Sequence, residues 1–212
     1  MIKAVIFDLG GVLIFYNHMI AARKMSRLIR VPKEKIFAFL NENKEFNVSY
    51  ELKSSPKIYW GIAEKELGKK IPISDFENLW KTIFWPNKKM IFFARKIKKK
   101  YKIALLSNTG NLHGSYLSKK YHLQEIFSVI IYSYKVKTRK PNRKIYEIAL
   151  KKLHVKPREA IFIDDKKPNV KGAEKVGIHG VLFRNSKQAI RDVDKIIERE
   201  NKNQNSIVSF SR

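Results

Sequence analysis

Met1-Ile2-Lys3-Ala4-Val5-Ile6-Phe7-Asp8-Leu9-Gly10-Gly11-Val12-Leu13-Ile14 is the stretch that decides the fold. Residues 4–7 are short and apolar, with β-branched Val5 and Ile6, and a glycine pair follows them. Such a run reads as a strand buried on both faces of a parallel sheet. Asp8 then falls at the strand's carboxyl end, where open α/β sheets place their ligands. A carboxylate there is either a turn or helix-cap residue, or a nucleophile and metal ligand. The rest of the chain decides between these.

Working outward, residues 16–86 carry helical periodicity and no strand pattern. Four short helices are expected. The first holds Met19 to Ile29, the second opens at Pro32, and the third runs from Ser54-Ser55-Pro56 to the stop at Gly68. The fourth opens at Ser74-Asp75-Phe76-Glu77, which has the Ser-x-x-Glu spacing of a capping box. Trp60, Trp80 and Trp85 read as core residues of this insert.

From Asn87 the rhythm changes to alternating helices and strands. Strands are expected over 103–106, 127–131, 160–163 and 180–183, with helices over 88–100, 111–120, 142–153, 169–176 and 187–199. This alternation gives a parallel sheet with helices on both faces. The fold class is α/β: a Rossmann-like core formed by residues 1–15 and 87–199, a four-helix subdomain inserted over 16–86, and a polar C-terminal tail over 200–212.

Composition narrows the function. There is no cysteine, which excludes disulfides, thiolate metal sites and a cysteine nucleophile. No apolar run approaches the roughly 20 residues that span a bilayer, and the N-terminus does not read as a signal peptide. A cytoplasmic protein without a membrane partner is expected. The 45 Lys+Arg against 19 Asp+Glu leave +26. Residues 88–102 hold eight basic groups and no acid, and residues 135–152 hold eight against Glu147. That charge attracts anions, nucleic acid non-specifically and phosphorylated small molecules alike. No zinc finger, aromatic RNA-binding signature or recognition helix marks a specific nucleic-acid site.

Chemistry collects at strand ends. Asp8, Ser107-Asn108 and Asp164-Asp165 all follow strands of one parallel sheet, so their side chains should converge on one edge. Three carboxylates together call for a cation, and an all-oxygen set without clustered His favours Mg²⁺ over zinc. Ser107 with the following helix N-terminus makes an anion site, which Lys140 could reach from another loop. Metal, anion site, lysine and carboxylate together describe phosphoryl transfer.

In this order, the motifs resemble those of the haloacid dehalogenase superfamily, whose members are mostly phosphatases. Phe7-Asp8-Leu9-Gly10-Gly11-Val12-Leu13 looks like the family's first motif, Leu106-Ser107-Asn108-Thr109 its second, and Arg139-Lys140-Pro141 its third. Phe162-Ile163-Asp164-Asp165, followed by Asn169 and Gly172-Ala173, looks like the fourth. The insert resembles the small helical cap of subclass I. The resemblance implies that Asp8 attacks phosphorus and forms an aspartyl-phosphate. It implies Mg²⁺ held by Asp8, the backbone carbonyl of Gly10 and a fourth-motif acid, Asp165 directly with Asp164 beside it or the reverse. Ser107, the amide region of Asn108 and Lys140 would hold the phosphoryl oxygens.

One position departs from the pattern. Most phosphatases of the family carry a second aspartate two residues after the nucleophile, where this chain has Gly10. Losing positioned acid–base help typically costs ~10²–10⁴-fold. Relatives of the glucose-1-phosphatase type share the Asp-Leu-Gly motif. Gly10 favours leaving groups that need little protonation, such as those of anomeric sugar phosphates or acyl phosphates, or a helper from Tyr16, Asn17 or His18. His113 is read as a packing residue. The expected function is a Mg²⁺-dependent phosphatase of a small phosphorylated metabolite, with sugar phosphates among the candidates, acting as a monomer or homodimer. The alternative is a catalytically weak protein of the same fold that binds nucleic acid or another polyanion.

Overall fold

The computed structural model describes residues 1–53, 55–70 and 72–210. In chain order the elements are β1 (Ala4–Phe7), β2 (Ile14–Tyr16), α1 (His18–Ile29), α2 (Lys33–Glu42), α3 (Lys44–Leu52), α4 (Pro56–Leu67), α5 (Ile73–Trp80) and β3 (Phe84–Pro86). They continue as α6 (Lys88–Ile97), β4 (Lys102–Ser107), α7 (Asn111–Lys120), α8 (Leu123–Ile126), β5 (Val129–Tyr132), α9 (Ser133–Val136) and α10 (Arg143–Leu153). The chain closes with β6 (Ala160–Asp164), α11 (Lys167–Glu174), β7 (His179–Leu182) and α12 (Ser186–Phe210).

The sheet has five strands in the order β5-β4-β1-β6-β7. Every adjacent pair is parallel. β1 is central, and its four residues alternate between the two cores. Val5 and Phe7 join the cluster on one face, and Ala4 and Ile6 the cluster on the other. This is why the run is apolar throughout rather than alternating. Phe7 pairs with Leu105 on one side and Ile163 on the other, so the residues just beyond these positions meet. The chain winds outward through β4 and β5 and then returns to the other side of β1. The crevice at that reversal is where a ligand fits.

The insert has its own core, built from Met25, Ile36, Leu40, Phe46, Trp60, Phe76 and Trp80 among others. Among the described residues it carries five helices rather than the four expected. The added one is α3, whose Phe46 and Tyr50 point inward four residues apart. The two crossings between insert and sheet form an antiparallel ribbon, which the helical periodicity did not reveal: Ile14 pairs with Pro86, Phe15 with Trp85 and Tyr16 with Phe84.

Three local expectations need correction. α5 begins at Ile73 behind Pro72 with no side-chain cap bond, so Ser74 lies inside the helix and the capping box does not form. Trp60 and Trp80 are buried as expected, but Trp85 on the edge ribbon is 44% exposed. α12 runs to Phe210 instead of ending at 199, since residues 200–210 contain no Gly or Pro to stop it. Ser54, named above as part of a helix start, and the last two residues of the tail lie outside the described residues. No helix among the described residues is long and apolar enough to cross a membrane.

Candidate active site

Lys140 is the hub of the site. It is 1% exposed, and its Nζ lies 2.7 Å from Asp8 Oδ1 and 2.6 Å from Asp164 Oδ2. The same ammonium donates to the Leu106 carbonyl at 2.9 Å, so all three of its protons are placed. Burial opposes the charge on Lys140, but Asp8 and Asp164 hold its pKa above the usual lysine value. Asn108 fixes the loop that delivers it. The Lys140 amide donates to Asn108 Oδ1 at 2.8 Å, and Asn108 Nδ2 donates to the Lys140 carbonyl at 3.0 Å.

The two adjacent acids differ in what is left open to them. Asp164 is fully buried, and beyond Lys140 it accepts from the Lys166 amide at 2.8 Å and from Asn169 Nδ2 at 3.0 and 3.1 Å. Its lone pairs are committed to protein donors. Asp165 has a buried Oδ1 with no hydrogen-bond partner. Such an oxygen costs ~1–3 kcal/mol unless something neutralises it. Gly11 makes room for this carboxylate. Its φ is +81°, and a Cβ there would stand 2.4 Å from Asp165 Oδ2.

Asp8, Asp164 and Asp165 each bring an oxygen within 4.8 Å of the others. Burial raises the Asp8 carboxyl to about 7, with Lys140 opposing the shift and Asp164 and Asp165 adding to it. Asp165 is raised as well, by burial and then by Asp164. A crowded all-oxygen cluster with one orphaned oxygen fits a hard divalent cation. Ser107, 3% exposed at the end of β4, lines the same crevice.

A cavity of about 1010 Å³ opens between these strand ends and the insert. Its floor holds Asp8, Ser107, Asn108, Lys140 and Asn169. Lys166, not singled out in the sequence, also lines it; Tyr16, Asp8 and Asp165 raise its pKa against the effect of burial. The insert is tied to the sheet beside the cavity. Arg139 pairs with Glu51 at 2.9 Å, and Ser133 Oγ donates to the Glu51 carbonyl at 2.7 Å. The basic and aromatic insert residues Arg23, Arg27, Lys53 and Tyr59 do not line the cavity.

The three helper positions separate. Asn17 caps α1, accepting from the Met19 amide at 2.8 Å. His18 Nδ1 lies 2.9 Å from Asn41 Oδ1. Tyr16 remains beside the Asp8–Gly11 loop, with its ring 3.1 Å from where a Gly10 Cβ would stand. His113 is buried, as expected, and accepts from Trp80 Nε1 at 3.1 Å. Since the indole nitrogen only donates, His113 Nδ1 is the acceptor and its proton sits on Nε2. Burial keeps this imidazole neutral, its pKa well below the ordinary value.

This fold and arrangement meet a matching family. The haloacid dehalogenase-like hydrolase family matches residues 2–177, and the chain belongs to it. Among curated relatives, the chain is 30% identical to bifunctional epoxide hydrolase 2 of Mus musculus over 52% of its own length and 21% of that protein's. It thus spans about a fifth of that relative. It is 23% identical to the D-ribitol-5-phosphate phosphatase of Bacteroides thetaiotaomicron, over 84% of this chain and 89% of that one. The fold is shared with a HAD family enzyme of Bacteroides thetaiotaomicron, solved in complex with magnesium and inorganic phosphate. There the TM-score is 0.72 at 23% identity, over 86% of this chain and 94% of the other.

Proposed function

We propose that the protein is a Mg²⁺-dependent phosphatase of a small phosphorylated metabolite, working through an aspartyl-phosphate on Asp8. The observation that carries this reading is the charge pattern around Lys140: one buried ammonium shared by Asp8 and Asp164, with Asp165 left one unpartnered oxygen. Asp8, Asp165 and the Gly10 carbonyl would hold Mg²⁺, with Asp164 committed to orienting Lys140. The metal would supply charge neutralisation and a template for the phosphoryl group.

The chain's own residues do the rest. Lys140 holds Asp8 by one oxygen, which leaves the other to attack phosphorus in line. Ser107 and the Asn108 amide bind the phosphoryl oxygens as the P–O ester bond breaks, and Lys140 stays on Asp8 and Asp164 and contributes its charge beside them. The alcohol leaves with that bonding pair and takes a proton from solvent water. Water then attacks the phosphorus of the acyl phosphate, releasing inorganic phosphate and restoring the Asp8 carboxylate. The helical insert acts as a cap over the cavity and reads the organic group. Sugar phosphates stay among the candidates, as the ribitol-phosphate phosphatase shares most of its length with this chain.

The test is phosphate release from a broad panel of phosphorylated metabolites, with Mg²⁺ and with EDTA. Release that EDTA abolishes is expected. A panel that stays silent with Mg²⁺ present would remove the reading.

A further inference from the structure

The wall above the phosphate floor has a character of its own. Tyr16, Phe46, Tyr50, Trp80, Phe84 and His113 all line the cavity. They form one connected group: the Trp80 and His113 rings stack 5.3 Å apart, Phe84 meets His113 edge-on at 4.5 Å, and Tyr50 meets His113 at 5.3 Å. Tyr16 reaches Phe84 at 6.4 Å and Phe46 reaches Trp80 at 6.3 Å.

Several polar groups along this wall are paired with each other, and the Tyr50 hydroxyl and His113 Nε2 are buried without a hydrogen-bond partner. Trp80 Nε1 donates to His113. Asn41 Oδ1 meets His18, and Asn41 Nδ2 donates to the Phe37 carbonyl at 2.7 Å. Glu51 is paired with Arg139. Glu42 and Lys44 stand at the exposed rim. A polyol pressed against such a surface would give up water at each hydroxyl and find few partners in return. An apolar group loses nothing polar there and gains burial.

From this we infer that the organic part of the substrate is an apolar alcohol, with a ring or hydrocarbon chain seated on the Trp80–His113–Phe84 wall. The inference rests on the phosphatase reading and narrows it: phosphate on the floor, hydrocarbon on the wall. It selects apolar phosphate monoesters over the sugar phosphates.

The experiment compares 1-naphthyl phosphate and decyl phosphate with glucose 6-phosphate and ribitol 5-phosphate, using the full chain with Mg²⁺. The two apolar esters should exceed the polyol esters in kcat/KM by about 100-fold, mainly through KM. In Phe84→Ala this ratio should fall about tenfold. Equal or better turnover of the polyol esters by the wild type would overturn the inference, whatever the variant does. If no ester is hydrolysed, the phosphatase reading fails and calorimetric binding decides the wall separately. Tighter binding of 1-naphthylmethylphosphonate than of a sugar phosphonate supports it, and equal or weaker binding overturns it.

Discussion

Lys140 Nζ sits 2.7 Å from Asp8 Oδ1 with both side chains buried, joining the end of the central strand to a loop far away in sequence. That contact places the cation where it serves two ends: it holds the Asp8 carboxylate, the proposed nucleophile, in register, and it answers part of the negative charge of the Asp8–Asp164–Asp165 cluster. A buried pair of this kind is weak as a source of stability but costly to break. Its value here is in fixing one geometry around Asp8.

Lys140→Met should therefore harm the fold as well as the chemistry. It leaves Asp8 and Asp164 buried without their ammonium. The expected loss is about 3–5 kcal/mol in urea denaturation at pH 8. Phosphatase activity should disappear even where the protein stays folded. A loss near zero would mean that Lys140 is not the charge partner that the distances indicate.

Asp8→Asn should have the opposite effect on stability. The Asp8 carboxyl is raised to about 7 by burial, with Lys140 opposing. Removing its charge eases the metal-free cluster, so the variant should be more stable at pH 8, by about 1 kcal/mol or more, and inactive. A less stable and still active Asp8→Asn would contradict both the crowding and the nucleophile.

The same raised pKa sets a pH dependence. In the metal-free protein Asp8 adds to stability below its unfolded value of about 3.9, and that contribution is lost as pH rises toward about 7. With Asp8 as the proposed ligand, Mg²⁺ binding needs the carboxylate and displaces its proton. Affinity for Mg²⁺ should climb with pH up to about 7 and then level off. Calorimetry in buffers of different ionisation heat should count close to one proton released at pH 6 and almost none at pH 9. A pH-independent affinity would show that Asp8 is already ionised in the free protein.

Gly10 raises a packing question. A Cβ at Gly10 would stand 3.1 Å from Tyr16 Cε1, so an aspartate there must push the ring aside. Gly10→Asp alone should gain little on alkyl phosphates. Gly10→Asp combined with Tyr16→Ala should gain more than the two single changes together, since neighbours in contact couple. Additive effects on kcat would show that Tyr16 does not limit an acid at this position.

Most of the core was legible because its signals are local. A four-residue apolar run ending in Asp8, and similar runs ending in Ser107 and Asp164, announce themselves without reference to the rest of the chain. Parallel topology then brings the ends together. The ribbon of Ile14–Tyr16 with Phe84–Pro86 was not legible, since its three-residue strands owe their pairing to partners on either side of the whole insert. α3 had a local signal that went unread: Asn43 accepts from the Phe46 amide at 2.8 Å, an N-cap directly before the helix. Lys166 and the Trp80–His113 wall carry no motif. Folding alone brings them to the cavity, from the start of α11, the end of α5 and the first turns of α7.

In the proposed mechanism, Asp8 is a nucleophile that receives a phosphoryl group beside Mg²⁺. Its most direct test needs no knowledge of the substrate: ¹⁹F NMR of the protein titrated with beryllium fluoride, a mimic of the bound phosphoryl group. Bound fluoride resonances are expected for the wild type with Mg²⁺, and none with EDTA or in Asp8→Asn. A wild type that forms no adduct, or an Asp8→Asn variant that forms it undiminished, would show that Asp8 does not receive the phosphoryl group.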